Sequence, residues 1–268
     1  MMRLLLLVAC CSLAAAEWRE ATAKTGKHAG RPYYWDTETK ERRWDRPEGF
    51  SDDAGAPQGA QIADELAEPI TGYAQCSTTK GEFVLALYES WAPRGVARFK
   101  ELVQAEFLTD VAVFRCVKGF MCQFGIVADN DAMMKWDGSP IKDDPNVGIR
   151  VKRGYIAFAG SGPNSRAAQM FIANHHGAET KENTLGDAAW EVPFGRVLDP
   201  SMDDVVGSWF TGYGDVYAGG AMSDPNLAKF DTAILEKGRE GIENTYGDLT
   251  FINSCKLVSV KQFEGSEL

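Results

Sequence analysis

Arg115 and Gln123 stand at equal distances from Gly119 in the stretch VFRCVKGFMCQFGI, Val113–Ile126. Two short apolar runs flank Lys118-Gly119, a pattern that predicts a β-hairpin with a tight turn. Strand side chains alternate between faces, so odd and even positions separate. The even set, Phe114, Cys116, Cys122 and Phe124, is wholly apolar and is expected to face a core. The odd set, Arg115, Val117, Met121 and Gln123, joins a cation and an amide to two apolar groups. In a hairpin centred on Gly119, Arg115 lies directly across from Gln123. A guanidinium held by a cross-strand amide, beside Met121 and with Phe120 at the rim, presents a fixed, directed N–H donor next to apolar surface. Such a site needs no nucleophile, acid–base pair, metal or organic cofactor. A lone Arg over a sheet more often snorkels, so the elements around the hairpin decide its meaning.

Gly72–Tyr88 reads as two strands around a Lys80-Gly81 turn. Pro93 opens a helix over Ala92–Glu106, whose buried face carries Val96, Phe99, Leu102 and Val103. After the hairpin, Asp129–Asp144 is polar and reads as a long surface loop, with Lys142-Asp143-Asp144-Pro145 as a turn. Gly154–Ala159, Gln169–Ala173 and Pro193–Leu198 read as strands, and Ser161–Arg166 as a loop. Met202–Trp209 reads as a helix capped by Ser201 or a residue near it and weakened by Gly207. Phe230–Gly247 is charged and weakly helical, and Phe251–Val260 is a closing strand. Short strands with two helices predict a mainly β fold: a closed antiparallel barrel with two capping helices.

The chain has 268 residues and a formal charge of −10. That charge excludes a nucleic-acid or anionic-membrane surface as the expected partner. Residues 1–16 have a cationic start, a short apolar run and Ala14-Ala15-Ala16, the grammar of a signal peptide. No later run is apolar for long enough to form a membrane helix. The mature product is therefore expected to be a soluble monomer of the secretory pathway, in the endoplasmic reticulum lumen or secreted. Residues 17–50 form a small aromatic unit, 51–69 an Ala/Gly/acidic linker, 70–262 the main domain and 263–268 a tail. Cys76, Cys116, Cys122 and Cys255 follow the leader and allow three pairings. Directly opposed Cβ atoms are slightly too far apart for an unstrained bridge, so Cys116 and Cys122 are expected as buried free thiols. A bridge between Cys76 and Cys255 is left open. His175 and His176 are adjacent, so their side chains diverge on a strand and predict a loop, not a metal site.

Trp18, Tyr33-Tyr34-Trp35-Asp36, Thr39, Trp44 and Pro47 follow the ordered signature of a WW domain, which the 17–50 unit resembles. The resemblance implies a small three-stranded sheet buckled by Trp18, Tyr34 and Pro47. It also implies a groove of Tyr33 and Trp44 for proline-rich segments, tuned by Trp35 and Thr37. The interval Ala23–Gly30 is then an extended first loop.

The main domain resembles the cyclophilin-type peptidyl-prolyl cis-trans isomerases over about residues 70–200. The resemblance rests on Thr79-Lys80-Gly81-Glu82, Ala92-Pro93 before a helix, and Phe114-Arg115-x-Val117-x-Gly119-Phe120-Met121-x-Gln123. It continues through Phe158-Ala159-x-x-Gly162-Pro163-Asn164-Ser165-x-x-x-Gln169-x-Phe171-Ile172 to Phe194-Gly195-Arg196-Val197. It implies Arg115 as the catalytic arginine and Gln123 as its holder, with Phe120, Met121, Phe171 and Leu185 around the substrate's proline ring. Ala159, Gly160 and Gln169 then contact the substrate backbone. The chain departs from the family at Phe124 (usually Gly), Gly160 (usually Asn) and Thr184 (often Trp). Its Gly186–Val192 loop is longer and lacks the usual edge His, leaving Trp190 to fill that space. The departures at Phe124 and in 184–192 are expected to preserve binding and weaken catalysis, and the alternative to an isomerase is a non-catalytic proline-peptide adaptor.

Overall fold

The computed structural model describes residues 18–22, 32–36, 42–43, 68–175, 185–186, 188, 190–215 and 232–265. The chain divides into two compact units, Met1–Gly59 and Ala60–Leu268. In the first, β1 (Trp18–Thr22), β2 (Pro32–Asp36) and β3 (Arg42–Arg43) form an antiparallel sheet in that order. Trp18 lies across from Asp36, and Tyr34 across from Arg43. Tyr33, Tyr34 and Trp35 lie on β2. Thr37, Thr39, Trp44 and Pro47 lie outside the described residues, as do the leader 1–16, the 23–30 loop and residues 51–67 of the linker.

The second unit is built on β4 (Gly72–Thr78), β5 (Gly81–Leu87), β6 (Val111–Ala112), β7 (Arg115–Val117), β8 (Met121–Phe124), β9 (Tyr155–Phe158), β10 (Met170–Ala173), β11 (Pro193–Val197) and β12 (Phe251–Val258). All pair antiparallel in the order β6-β12-β4-β5-β11-β9-β10-β8-β7. The expected closed barrel is not formed by pairing: among the described residues no ladder joins β6 to β7. These two edge strands are nonetheless consecutive in the chain, with only Val113 and Phe114 between them, and Val113 N donates to Thr250 O at 2.8 Å. The sheet thus curls until its two edge strands share one short connection.

Alternation sorts the side chains of this sheet into two apolar layers. Cys122 and Phe124, Met170 and Ile172, and Ile156 and Phe158 enter the interior cluster with Phe83, Phe99 and Phe194. Met121, Phe171, Ala173, Ala157 and Tyr155 face the opposite way, into a cluster with Tyr88, Trp91, Ile149 and Leu185. The even hairpin set is buried as expected, although Phe114 joins a third cluster with Tyr213, Leu235 and Phe251.

The helices differ more from expectation. α1 (Pro93–Gln104) buries Val96, Phe99, Leu102 and Val103. The polar stretch read as a loop contains α2 (Asn130–Asp137), whose first turn is capped by Asp129 Oδ1 accepting from Ala132 N at 3.0 Å. Its polar composition hides a one-sided helix: Ala132, Met133 and Trp136 pack on the interior cluster, and the Arg98 guanidinium lies 5.2 Å over the Trp136 ring. The 202–209 helix breaks into α3 (Ser201–Asp204) and a 3-10 turn, Val206–Ser208, that contains Gly207. Ser201 does not cap it; its Oγ donates to Leu198 O at 2.6 Å, and Pro200 precedes the helix. A 3-10 helix, Thr232–Lys237, leads into α4 (Gly238–Glu243). The assigned tail begins too early, because α5 (Val260–Glu264) places Phe263 on the Tyr73 ring with centroids 4.0 Å apart. Among the described residues the two expected capping helices therefore become five α-helices, of which α1 and α2 are the longest.

The cysteines are joined Cys76 to Cys255 and Cys116 to Cys122. The first bridge links facing residues of β4 and β12. The second replaces the expected pair of free thiols: the register sets Cys116 directly opposite Cys122, with Cα atoms 3.9 Å apart, inside the usual spacing of even the narrow antiparallel pairs. Among the described residues no helix is long and apolar enough to cross a membrane.

Candidate active site

The β7–β8 hairpin has the register that its symmetry about Gly119 requires: Arg115 faces Gln123, Cys116 faces Cys122 and Val117 faces Met121. Gly119 takes φ +75°, which an L side chain rarely adopts, and Phe120 N donates to Val117 O at 3.0 Å to close the turn. Asn174 N donates to Phe120 O at 2.8 Å and ties the turn to the end of β10. At the other end, Gly125 sits so close to the neighbouring strand that a Cβ there would lie 2.5 Å from Ala168 O. The hairpin is therefore pinned at both ends, and its odd face carries the chemistry.

On that face Arg115 Nη1 donates to Gln123 Oε1 at 3.1 Å, and Gln123 Nε2 donates to Gln169 Oε1 at 2.9 Å. A partner that sequence reading missed completes the chain. Asp215 binds the guanidinium with both oxygens, accepting from Nε at 2.7 Å and from Nη2 at 2.9 Å. Arg115 and Asp215 keep 17% and 28% of their side-chain surface exposed. Asp215 follows Gly212-Tyr213-Gly214, a stretch with only turn chemistry to advertise it, and lies a hundred positions from Arg115. No local spacing could have paired the two.

Gln123, Ala159, Gly160 and Gln169 line one cavity of about 360 Å³, together with Ser161, Ser165, Ala167 and Asp137. Partial burial at this rim lifts the Asp137 carboxyl above its ordinary range. Ala159 N donates to Gln169 O at 2.9 Å, which carries the extended backbone of β9 past Phe158 and along the cavity wall. Met121, Phe171 and Leu185 are almost wholly buried in one apolar layer, with half-buried Phe120 and Ala159 packed at its edge. Phe171 faces Gln123 on one side and Ala157 on the other, so the apolar layer and the polar chain share strands.

Two of the departures acquire a physical reason. Gly160 is required by Trp190, since a Cβ at 160 would stand 2.6 Å from Trp190 Cδ1 and 2.9 Å from Ser165 Oγ. The indole occupies the room that a side chain at 160 would need. Phe124 cannot disturb the site as expected, because it points to the other face, 1% exposed and edge-on to Trp209. Thr184 lies outside the described residues.

The cavity wall is held by a buried ion pair that was read as a surface turn. Arg166 and Asp144 side chains are both 0% exposed, with Nη1 donating to Oδ2 at 2.9 Å, and Nη2 donates to Lys142 O. Asp144 also accepts from Arg94 N and Gly95 N, each at 2.9 Å, and so caps α1 from fifty residues away. Asp143 and Asn164 exchange two hydrogen bonds of 2.9 Å with each other's backbone. The 161–166 loop is thereby fastened to the start of α1.

The cyclophilin type peptidyl-prolyl cis-trans isomerase/CLD family model matches residues 73–209, just over half of the chain. The chain belongs to this family. Peptidyl-prolyl cis-trans isomerase-like 2 of Emericella nidulans is 33% identical over 115 residues, 38% of this chain and 18% of that protein. Peptidyl-prolyl cis-trans isomerase A of Dickeya dadantii is 31% identical over 122 residues, 46% of this chain and 63% of that protein. A solved Cryptosporidium parvum cyclophilin type peptidyl-prolyl cis-trans isomerase, in the presence of the dipeptide Ala-Pro, aligns with 70% of this chain and 99% of its own. Its identity is 17% and its TM-score 0.46. The chain thus spans only 18% of the length of the Emericella relative and less than two thirds of the Dickeya one. Of the candidates, Gln123, Ala159, Gly160 and Gln169 line the cavity, Phe120, Met121, Phe171 and Leu185 belong to or pack on one apolar layer, and Trp190 stands against Gly160.

Proposed function

We propose that this cyclophilin accelerates rotation about X-Pro bonds in polypeptides, with Arg115 donating to the proline nitrogen in the twisted state. The observation that carries the reading is the Arg115–Gln123–Gln169 chain, whose two amides line a cavity and whose neighbours Met121 and Phe171 belong to one apolar layer. An amide crosses a barrier of about 18–20 kcal/mol because rotation destroys resonance. As the bond twists, the nitrogen pyramidalises and regains a lone pair that the planar ground state lacks. A donor fixed beside it binds the twisted state better than either planar state, and that difference is catalysis. Each tenfold gain asks for about 1.4 kcal/mol. In this reading Phe120, Met121, Phe171 and Leu185 form the seat of the proline ring. Ala159, Gly160 and Gln169 meet the substrate backbone, with Trp190 as the wall beside Gly160. Isomerisation of a short X-Pro peptide by wild type and Arg115→Ala tests the proposal. Folded wild type no faster than background would leave a proline-peptide adaptor as the surviving function.

Residues 17–50 act in this proposal as a WW module that gathers proline-rich segments, supported by the order Trp18, Tyr33-Tyr34-Trp35, Trp44, Pro47 and by the three-stranded pairing of β1, β2 and β3. Titration of a proline-rich peptide against wild type, Tyr33→Ala, Trp35→Ala, Thr37→Ala and Trp44→Ala checks it; equal affinities throughout would remove the groove. The proposed compartment is the secretory pathway, and the proposed form a monomer. The leader-like residues 1–16 and the two cysteine pairings support the former, because disulfides persist in oxidising compartments. Sequencing the mature N-terminus decides the compartment, with a retained Arg3 as the adverse result, and light scattering decides the oligomeric state.

A further inference from the structure

The geometry points to Asp215 as a positioning residue for Arg115: a carboxylate clamp that fixes the guanidinium plane for transfer of its hydrogen bond to the twisted proline nitrogen. The inference rests on the isomerase reading and extends it to a residue outside the matched stretch 73–209. Arginine has a planar head on a long, freely rotating stem, and a single hydrogen bond leaves that plane free to swing. Gln123 alone supplies one bond, at 3.1 Å to Nη1. Asp215 adds two shorter ones to the Nε and Nη2 side, so all three nitrogens have a defined direction. Gln123 is in turn held by Gln169, the residue just before β10. Each Nη nitrogen carries two N–H groups, and engagement by one acceptor does not exhaust it.

The pair has a second consequence. A bidentate carboxylate largely cancels the guanidinium charge at long range, so the group acts as a directed donor and not as a general cation. Stabilisation then depends on orientation, which is where a preorganised site draws its rate. The rival role for the same contact is occlusion, in which Asp215 competes with substrate for Arg115. The two roles make opposite forecasts.

The test uses the full chain and the variants Asp215→Ala, Asp215→Asn and Asp215→Glu, each assayed on a short X-Pro peptide. Positioning lowers kcat about tenfold in Asp215→Ala and Asp215→Asn with KM nearly unchanged, and Asp215→Glu recovers most of the loss. The Arg115 Nε–H resonance in NMR is expected to be sharp in wild type and Asp215→Glu, and broadened or shifted to the free-arginine position in Asp215→Ala. A higher kcat in Asp215→Ala establishes occlusion and overturns the positioning role, as does an unchanged kcat. A wild type without turnover defeats the isomerase reading and the catalytic part of this one, while the Nε–H resonance still reports whether the clamp exists in solution.

Discussion

Two arginine–aspartate pairs serve opposite ends in this fold, one sealed from water and the other open to it. Arg166 and Asp144 are fully withdrawn from water, and the pair also holds the Lys142 carbonyl and two backbone N–H groups of α1. Arg115 and Asp215 keep contact with solvent, and Arg115 is linked through Gln123 to Gln169 at the cavity. A buried pair survives only when nearly every donor and acceptor around it is satisfied, because each lone charge would cost several kcal/mol. The Arg166 pair, with Asp143 Oδ1 also lying 3.5 Å from Arg166 Nε, is a fastener enclosed by protein. A partly exposed pair carries a smaller desolvation cost and a smaller stabilisation, which suits the donor role proposed for Arg115.

The sharpest break in this comparison comes from Asp144→Ala. It strands a buried guanidinium and uncaps α1, and a loss of about 3–5 kcal/mol of folding stability is expected in urea unfolding. A loss below about 1 kcal/mol would show that the pair is not the fastener. Arg115→Ala should reverse the pattern: a fall in kcat/KM of about 10²–10³, the range for removing one preorganised donor, with stability within about 1 kcal/mol of wild type. Arg115→Lys should recover little of that rate, since an ammonium lacks the planar fork.

A third test concerns the cavity wall at Gly160. Gly160→Ala drives a methyl group into Trp190 and Ser165 and should cost about 1–3 kcal/mol by overpacking. Trp190→Ala in the same chain should relieve most of that cost, so the two changes are expected to be strongly non-additive. Additive effects would mean that the indole does not dictate the glycine. The smallest effect is expected at Asp137. Its folded-state pKa is raised, so the ionised form present at neutral pH slightly opposes folding. Asp137→Asn should therefore match or slightly raise the Tm at neutral pH, and the difference should vanish as the pH falls through the raised pKa and the wild-type carboxyl protonates in both states.

How much of this was legible in the chain varies by element. The hairpin was legible to the residue, because period-two alternation and a Gly turn are local and Arg115 opposite Gln123 follows from them. The α1 face was legible for the same reason at helical spacing. The 129–144 stretch was not: eight residues rich in Asp, Asn and Lys form a helix because Met133 and Trp136 reach the core, and that packing overrides a polar composition. Cys116 and Cys122 were placed opposite each other correctly, and the free thiols were wrong because the actual cross-strand spacing is tighter than the average used to judge it. Phe124 was read in two ways, as a core residue by alternation and as a threat to the pocket by comparison with the family; the alternation was right.

By itself the sequence determined which residue types could favour a twisted amide, and which of them share a strand face, since both follow from side-chain chemistry and the two-residue repeat of a β-strand. Only the tertiary structure decided what holds them. Asp215 reaches Arg115 from a hundred positions away, Asp144 caps a helix fifty positions earlier, and Trp190 claims the space beside Gly160. Local periodicity carries no record of such contacts, because chain closure over those distances is set by how whole elements pack.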